Sequence, residues 1–227
     1  MTDQTTVSTF AAFWLYRATE ARFELEPDDA AAIPIETATI LDDHAEDVTL
    51  RAAYSTLGFS AGADLIFWVV ADDMRKLHAL AADLHSSAFS AFFDQVHVYA
   101  GTASASQYDP SHGPAFLRGI PPKDYLSVYP FTKTPEWYLL DFEERRRLMV
   151  EHGKMGHEYP SISTNTINSF GIADQEFVVA LEDDDPATLV KMVQRLRAAE
   201  VRKYTALDTP IFLGLKMAVE DAISAAL

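Results

Sequence analysis

Two stretches of the chain share the same order of hydrophobic and polar positions. Asp64–Asp73 (DLIFWVVADD) and Asp174–Asp183 (DQEFVVALED) each contain an apolar run that ends in acidic residues. A glycine-containing stretch precedes each run, at Leu57–Phe59 and at Phe170–Ile172, as expected of a turn between neighbouring antiparallel strands. The pattern therefore predicts a strand at the same point in two similar halves.

A helix is predicted to follow each of these strands. Apolar residues recur at helical spacing, so each helix has one stripe to bury against a sheet. The recurring residues are Met74, Leu77, Ala81, Leu84 and Ala88 in the first half, and Leu189, Met192, Val193 and Leu196 in the second. Apolar strands at 8–17 and 124–130 open the halves. Each half then reads strand, helix, strand, strand, helix, strand, which is a ferredoxin-like arrangement of the α+β class.

The repeat divides the chain into three parts. Residues 1–103 form the first ferredoxin-like half, and residues 124–227 form the second. Residues 104–123 are rich in Ser, Pro and Gly, which is typical of a linker. Ligand sites often form at domain junctions, so we expect this linker to lie over a pocket.

Composition narrows the classes of function. The 34 acidic and 18 basic residues give a formal charge of -16, which opposes binding to nucleic acid or to an anionic membrane surface. Cysteine is absent, which excludes disulfides, thiolate zinc sites and iron–sulfur clusters. Any metal must therefore bind through His, Met, Tyr or carboxylate side chains.

Targeting and cofactor motifs are missing as well. The N-terminal sequence MTDQTTV has neither the basic start nor the apolar run of a secretory signal, and no apolar stretch approaches ~20 residues. We expect a cytoplasmic protein without membrane insertion. The chain also has no phosphate-binding glycine loop, zinc-binding His pair, nucleophile elbow or dinucleotide fingerprint.

His152 is a candidate metal ligand. Asp141–Glu144 (DFEE) has the form of a capping box, so a helix should start there, continue through His152 and stop at Gly153. An imidazole at the end of the apolar stripe of this helix can present a nitrogen to a cavity, as a metal ligand must. The alternative is a core histidine hydrogen-bonded to the backbone.

A phenol, an ammonium and an indole lie close together in the sequence. Tyr129 and Lys133 flank the end of the strand that opens the second half, and Trp137 follows. Tyrosine is suited to one-electron oxidation, and lysine can hold a carboxylate as a point charge. The alternative is an aromatic residue on a sheet beside a solvated lysine. His112, in the linker, can shuttle a proton, or it is an ordinary exposed loop histidine.

The order of these motifs resembles the coproheme decarboxylase branch of the chlorite dismutase superfamily. The residues that carry the resemblance are Tyr129-Pro-Phe-Thr-Lys133, Trp137-Tyr138, Glu144-Arg145-Arg146, Leu148-Met149, Glu151-His152-Gly153, Gly156, Tyr159, Gly171, Asp174 and Glu176. The linker stretch His112–Phe116 (HGPAF) resembles the actinobacterial members in particular.

The resemblance implies an enzyme with a defined substrate. Such a protein uses hydrogen peroxide to decarboxylate two propionates of iron coproporphyrin III (coproheme) through a tyrosyl radical, and it releases haem b. The fold implied is a dimeric α+β barrel built from two ferredoxin-like halves in one chain. The implied assembly is a homopentamer, with porphyrin bound in the C-terminal half.

The resemblance also implies a role for each candidate residue. His152 would be the proximal iron ligand, Tyr129 the residue that forms the radical, and His112 the distal base. Lys133 would contact a propionate. Trp137 matches an aromatic residue near the substrate, and Tyr108 is a candidate for the polar wall of the pocket.

The segment around Asn165 departs from two relatives of this branch. Chlorite dismutases have a distal arginine near this point, and the Firmicute decarboxylases have a glutamine, whereas Ser163–Thr166 (STNT) offers neither. The missing arginine disfavours chlorite chemistry, and the missing glutamine fits a distal role for His112. Three alternatives stay open: a non-enzymatic haem-binding or haem-delivery protein, a chlorite dismutase, and a structural oligomer whose repeats only close a barrel. The role of Asn165 itself is open.

Overall fold

The structure is a computed structural model that describes residues 8–108 and 113–227. In chain order its strands are β1 (Thr9–Ala18), β2 (Thr49–Ser55), β3 (Leu65–Ala71), β4 (Phe93–Ala103), β5 (Tyr125–Lys133), β6 (Ser163–Asn168), β7 (Phe177–Asp183), β8 (Thr205–Leu207) and β9 (Phe212–Met217). Its α-helices are α1 (Pro27–Asp43), α2 (Met74–Ser86), α3 (Phe89–Phe92), α4 (Pro135–Leu139), α5 (Phe142–Gly156), α6 (Pro186–Leu196) and α7 (Val219–Ala226). None of the helices in these ranges is long and apolar enough to cross a membrane.

The described residues form two compact units. The first unit consists of residues 8–103 and Gly214–Leu227, and the second consists of the described part of Ser104–Leu213. The last strand and helix of the chain thus pack with the first unit, although they follow the second unit in sequence. The functional division into two halves and a linker stays a prediction.

The first unit is a ferredoxin-like sheet covered by helices. Its strands are antiparallel in the order β4-β1-β3-β2, with the Leu215–Met217 part of β9 pairing with β2. Large side chains such as Trp14 and Phe67 fill the space between the sheet and helices α1, α2 and α7. Burial of this apolar surface is the main term that stabilises the unit.

The second unit repeats the arrangement. Its strands are antiparallel in the order β6-β7-β5-β8. Tyr129 lies opposite Val179, which lies opposite Thr166, so these three residues share one face of the sheet. Tyr129 and Val179 pack in one cluster with Leu189 of α6, which identifies this face as the one that helices cover. The predicted α+β class and the two ferredoxin-like element orders are confirmed.

Helix α5 begins where the sequence predicted and ends later. An Asp141 carboxylate oxygen accepts a hydrogen bond from the Glu144 amide at 2.8 Å, which is a standard N-terminal cap. The predicted stop at Gly153 is wrong, because the helix continues to Gly156. The extra turn brings Met155 against the buried cluster that contains Trp137, and such packing outweighs the weak helix propensity of glycine.

The contact of Gly214 with Tyr54 gives a test of packing in the first unit. A Cβ at position 214 would lie 2.7 Å from the Cβ of Tyr54, whose side chain is fully buried. We expect Gly214→Ala to lower the free energy of unfolding in urea by about 1–3 kcal/mol. At Gly153 an added Cβ would meet nothing within 4 Å, so Gly153→Ala should be about 0.5–1 kcal/mol more stable than wild type. Equal stability of Gly214→Ala and wild type would contradict the packing described.

Candidate functional site

His152 presents a neutral imidazole from α5. Its Nδ1 atom is buried and makes no hydrogen bond to any part of the chain that the structure describes. Burial, together with the nearby positive charge of Lys133, lowers the pKa of His152 to about 4. The ring is therefore neutral at physiological pH and keeps a lone pair, which a metal ligand requires. The alternative of a core histidine bonded to the backbone does not account for the unpaired Nδ1.

Lys133 places a largely buried ammonium within electrostatic reach of this imidazole. The residue is 9% exposed, which excludes a solvated lysine. Its Nζ atom lies 4.4 Å from the ring centroid of Trp137 and 5.1 Å from that of Phe131. Burial lowers the pKa of Lys133 to about 8, while the charge of Glu176 opposes this shift.

The ammonium of Lys133 has no anionic partner of its own. Within residues 8–108 and 113–227, no carboxylate forms an ion pair with Nζ. Burying an ammonium without a counter-charge is costly, and the two aromatic rings offset only part of that cost. A ligand that carries a carboxylate would complete the site.

Tyr129 lies four residues before Lys133 on β5. Burial raises the pKa of Tyr129 to about 12, and the charges of Arg197, Asp208 and Arg202 act on it as well. The phenol therefore keeps its proton at neutral pH. Arg202 also acts on the pKa of Lys133, so one guanidinium lies within electrostatic reach of both residues.

Three charged residues from the end of the second unit, Arg197, Arg202 and Asp208, act electrostatically on Tyr129. Asp208 forms ion pairs with Arg197 and, at 3.3 Å, with Arg202. These residues were missed by the sequence analysis, because they lie about 70 residues beyond Tyr129 and no spacing pattern links them to it. Two arginines with one aspartate leave a local excess of positive charge, which favours an anionic ligand.

Trp137 and Tyr108 form an aromatic wall near α5. Trp137 is 3% exposed and packs against Leu148 of α5. The Tyr108 ring lies 6.3 Å from the Trp137 ring and 5.8 Å from the Phe142 ring. Burial raises the pKa of Tyr108, and the Arg145 guanidinium opposes this shift. The proposed distal base, His112, lies outside the described residues.

Asn165 lies on the sheet face opposite to Tyr129. It pairs with Ala180 across β6 and β7, is fully buried, and accepts a hydrogen bond from the Phe116 amide at 3.0 Å. Its Nδ2 donates to Glu182 at 3.1 Å, and Glu182 accepts from the Lys123 amide at 3.3 Å. The pair Asn165–Glu182 thus anchors the end of the linker at two points.

The described residues offer no ready chelate for a free metal ion. Across residues 8–108 and 113–227, no group of three or more His, Cys, Asp or Glu side chains could hold one. A metal that uses His152 must therefore arrive with most of its ligands already in place. A metalloporphyrin meets this condition, because its four ring nitrogens leave only axial positions open.

Comparison with known proteins places the chain among related sequences and folds. The chlorite dismutase family profile matches residues 30–217. Over 199 residues the chain is 34% identical to the coproheme decarboxylase of Mycolicibacterium smegmatis. This alignment covers 87% of this chain and 86% of that protein. Over 179 residues it is 30% identical to the coproheme decarboxylase of Staphylococcus carnosus. This second alignment covers 72% of this chain and 70% of that protein.

A solved structure shares the fold at lower sequence identity. An arginine-to-lysine mutant of the chlorite dismutase from Candidatus Nitrospira defluvii matches with a TM-score of 0.88. The match covers 98% of this chain and 96% of the other at 17% identity. Identity this low shows a common fold and nothing finer.

The anchor at Asn165 can be tested by its effect on stability. Asn165→Ala removes the acceptor of the Phe116 amide and a donor to the buried Glu182 carboxylate. We therefore expect the free energy of unfolding, measured in urea, to fall by about 1–3 kcal/mol. Asn168→Ala is the matched control, because Asn168 lies on the same strand and makes an exposed 3.4 Å bond to Ser104. It should change stability by less than about 0.5 kcal/mol. Equal losses in both variants would contradict the anchoring role.

Proposed function

We propose that this chain, which belongs to the chlorite dismutase family, catalyses the decarboxylation of coproheme. The two relatives compared above are named for this reaction. The family membership predicted from the motifs between Tyr129 and Phe177 is thereby confirmed. In the reaction proposed, hydrogen peroxide oxidises two propionates of iron coproporphyrin III to vinyl groups, which gives haem b. The substrate carries the iron and is also the redox cofactor.

One structural observation carries this proposal. A neutral imidazole with an unpaired buried nitrogen lies within electrostatic reach of a largely buried ammonium that has no carboxylate partner among the described residues. His152 offers a ligand to iron, and Lys133 offers a counter-charge to a propionate. A porphyrin that carries both iron and carboxylates fits the two groups together.

Lys133 would act in binding and orientation. Its ammonium is held over the Trp137 ring, so its position is restricted before substrate arrives. An ion pair formed at a buried position is stronger than one at the surface, and it would fix one propionate relative to β5. Trp137 would form an aromatic wall that excludes water around the reacting groups, and Tyr108 would add the polar part of that wall.

Tyr129 would carry out the oxidation of the propionate. Bound coproheme supplies the redox chemistry with peroxide. Tyr129 loses one electron and its phenolic proton, and the phenoxyl radical then takes a hydrogen atom from the propionate β carbon. Loss of a second electron from the propionate, which the peroxide-derived oxidant would accept, would then release carbon dioxide and form the vinyl double bond. Each propionate thus gives up two electrons, and one peroxide accepts them.

His112 would be the base on the distal side, where a neutral histidine accepts the first proton of peroxide. This assignment rests on the resemblance of the linker stretch His112–Phe116 to the actinobacterial members. The anchored amide of Phe116 lies four residues further along. We propose in addition that the chain assembles as a homopentamer in the cytoplasm, which also rests on the resemblance.

Replacement of Tyr129 tests the proposed reaction. Wild-type protein incubated with coproheme and hydrogen peroxide should yield, by mass spectrometry, a product that has lost carbon dioxide and two hydrogens twice. Tyr129→Phe should bind coproheme with an unchanged Soret band, while turnover falls at least about a hundredfold, or about 2.7 kcal/mol in activation free energy. Tyr125→Phe is the matched control on the same face of β5 and should keep turnover within about twofold.

Three outcomes would contradict the proposal. Full turnover by Tyr129→Phe would reject the radical role. Wild-type protein that binds coproheme without changing its mass would indicate a haem-binding or haem-delivery protein. Release of oxygen from chlorite, with no coproheme product, would indicate a chlorite dismutase.

A further inference from the structure

We propose that Glu176 is the positioning residue of Lys133, which it holds in the place where the ammonium meets a substrate propionate. The proposal rests on the function proposed above. Glu176 itself does not contact the substrate. The carboxylate acts through Lys133, by a hydrogen bond to its backbone and by the charge that it places near its side chain.

The first observation is that β5 extends beyond its neighbour β7. The last residue pair between the two strands joins Phe131 to Phe177, where β7 begins. Strand β5 continues to Lys133, which pairs on its other side with Thr205 of β8. Towards β7, the Lys133 amide has no strand residue opposite it. The Glu176 carboxylate takes the place of the missing strand and accepts a hydrogen bond from this amide at 2.7 Å.

The second observation is that the same carboxylate oxygen also holds the segment after β5. Glu176 Oε2 accepts a hydrogen bond from the Tyr138 hydroxyl at 2.5 Å. Partial burial and this bond raise the pKa of Tyr138, so the hydroxyl remains a donor at neutral pH. The Tyr138 ring lies 6.1 Å from that of Phe170, in the loop that leads to Glu176. One carboxylate oxygen therefore fixes both Lys133 and the short helix α4 that follows it.

The third observation is the distribution of charge around Lys133. The positive charge of Arg202 disfavours the ammonium, whereas the negative charge of Glu176 favours it. Glu176 nevertheless bonds to the backbone of Lys133 and, within the described part of the chain, forms no ion pair with Nζ. The charge is thus partly balanced, while the hydrogen-bond donors of the ammonium are kept for a ligand.

This arrangement separates positioning from binding. A carboxylate paired directly with Nζ would compete with a propionate. Without any carboxylate, only the two aromatic rings would offset the burial of a cation that the charge of Arg202 also disfavours. The charge of Glu176 acts on the Lys133 ammonium, but its carboxylate is hydrogen-bonded to the Lys133 amide and the Tyr138 hydroxyl. It therefore offsets the positive charge without occupying the position of a propionate. The side chain of Lys133 is then preorganised for an anionic group, which lowers the entropic cost of binding.

A double-mutant cycle tests whether Glu176 acts through Lys133. The affinity of the purified apoprotein for coproheme is measured by titration of the Soret band, without peroxide, for wild type, Lys133→Ala, Glu176→Ala and the double variant. We expect Lys133→Ala to weaken binding about tenfold and Glu176→Ala about threefold to tenfold. In the Lys133→Ala background, Glu176→Ala should cause less than about a twofold change.

Further variants separate the charge of Glu176 from its hydrogen bonds and control for folding. Glu176→Gln retains an oxygen that accepts from the Lys133 amide, so it should bind coproheme more tightly than Glu176→Ala. Glu136→Ala removes an exposed acid three residues after Lys133 and should leave the affinity unchanged. Thermal unfolding of each apoprotein, followed by circular dichroism, identifies any variant that fails to fold. If Glu176→Ala fails to fold, Glu176→Gln replaces it in the cycle; if Lys133→Ala fails, Lys133→Met replaces it.

The outcomes distinguish this inference from the proposed function. Equal weakening by Glu176→Ala in both backgrounds, or no weakening in either, would overturn the positioning role. Unchanged affinity of Lys133→Ala would overturn it as well, because there would be no propionate contact to position. In each case, conversion of coproheme to haem b by wild-type protein would leave the proposed function standing.

Discussion

The largely buried ammonium of Lys133, which forms no ion pair within the described residues and acts on the neutral imidazole of His152, is the constraint that shapes the site in the second unit. Burial of a cation without a counter-ion destabilises a protein unless other groups offset the cost. Here the rings of Trp137 and Phe131 and the charge of Glu176 do so in part. Part of this free-energy cost remains, and an anionic ligand bound at Lys133 would offset it.

The two units show how one element order serves two purposes. In the first unit, aromatic and aliphatic side chains such as Trp14, Phe67 and Phe89 fill the space between sheet and helices. The second unit also has an apolar cluster between sheet and helices, to which Tyr129 contributes. In addition it buries Lys133, most of the imidazole of His152 and the Asn165–Glu182 pair, and buried polar groups of this kind are typical of a binding site.

Much of the fold could be predicted from the chain alone. The repeated apolar runs before Asp73 and Asp183 identified the two ferredoxin-like orders, and Asp141 marked the start of α5. The stop at Gly153 was wrong, because packing of Met155 extends the helix. Residues 214–227 belong to the first unit through the pairing of β9 with β2 and the burial of α7 in its core, which no local pattern reveals.

The candidate site was predictable in its residue types but not in its environment. Tyr129, Lys133, Trp137 and His152 stood out because they lie within 24 residues in a recognisable order. Their burial and the lowered pKa values of Lys133 and His152 depend on the tertiary structure. The roles of Glu176, Arg202 and Asp208 depend on contacts between distant segments, so no motif would have assigned them.

The central claim is that His152 ligates the iron of a porphyrin bound in the second unit. Resonance Raman spectroscopy of the ferrous coproheme complex tests it directly, through the iron–histidine stretching band. The account predicts this band in wild-type protein, its loss in His152→Ala, and its return when free imidazole is added to that variant. An unchanged band in His152→Ala would show that another residue holds the iron and would contradict the account.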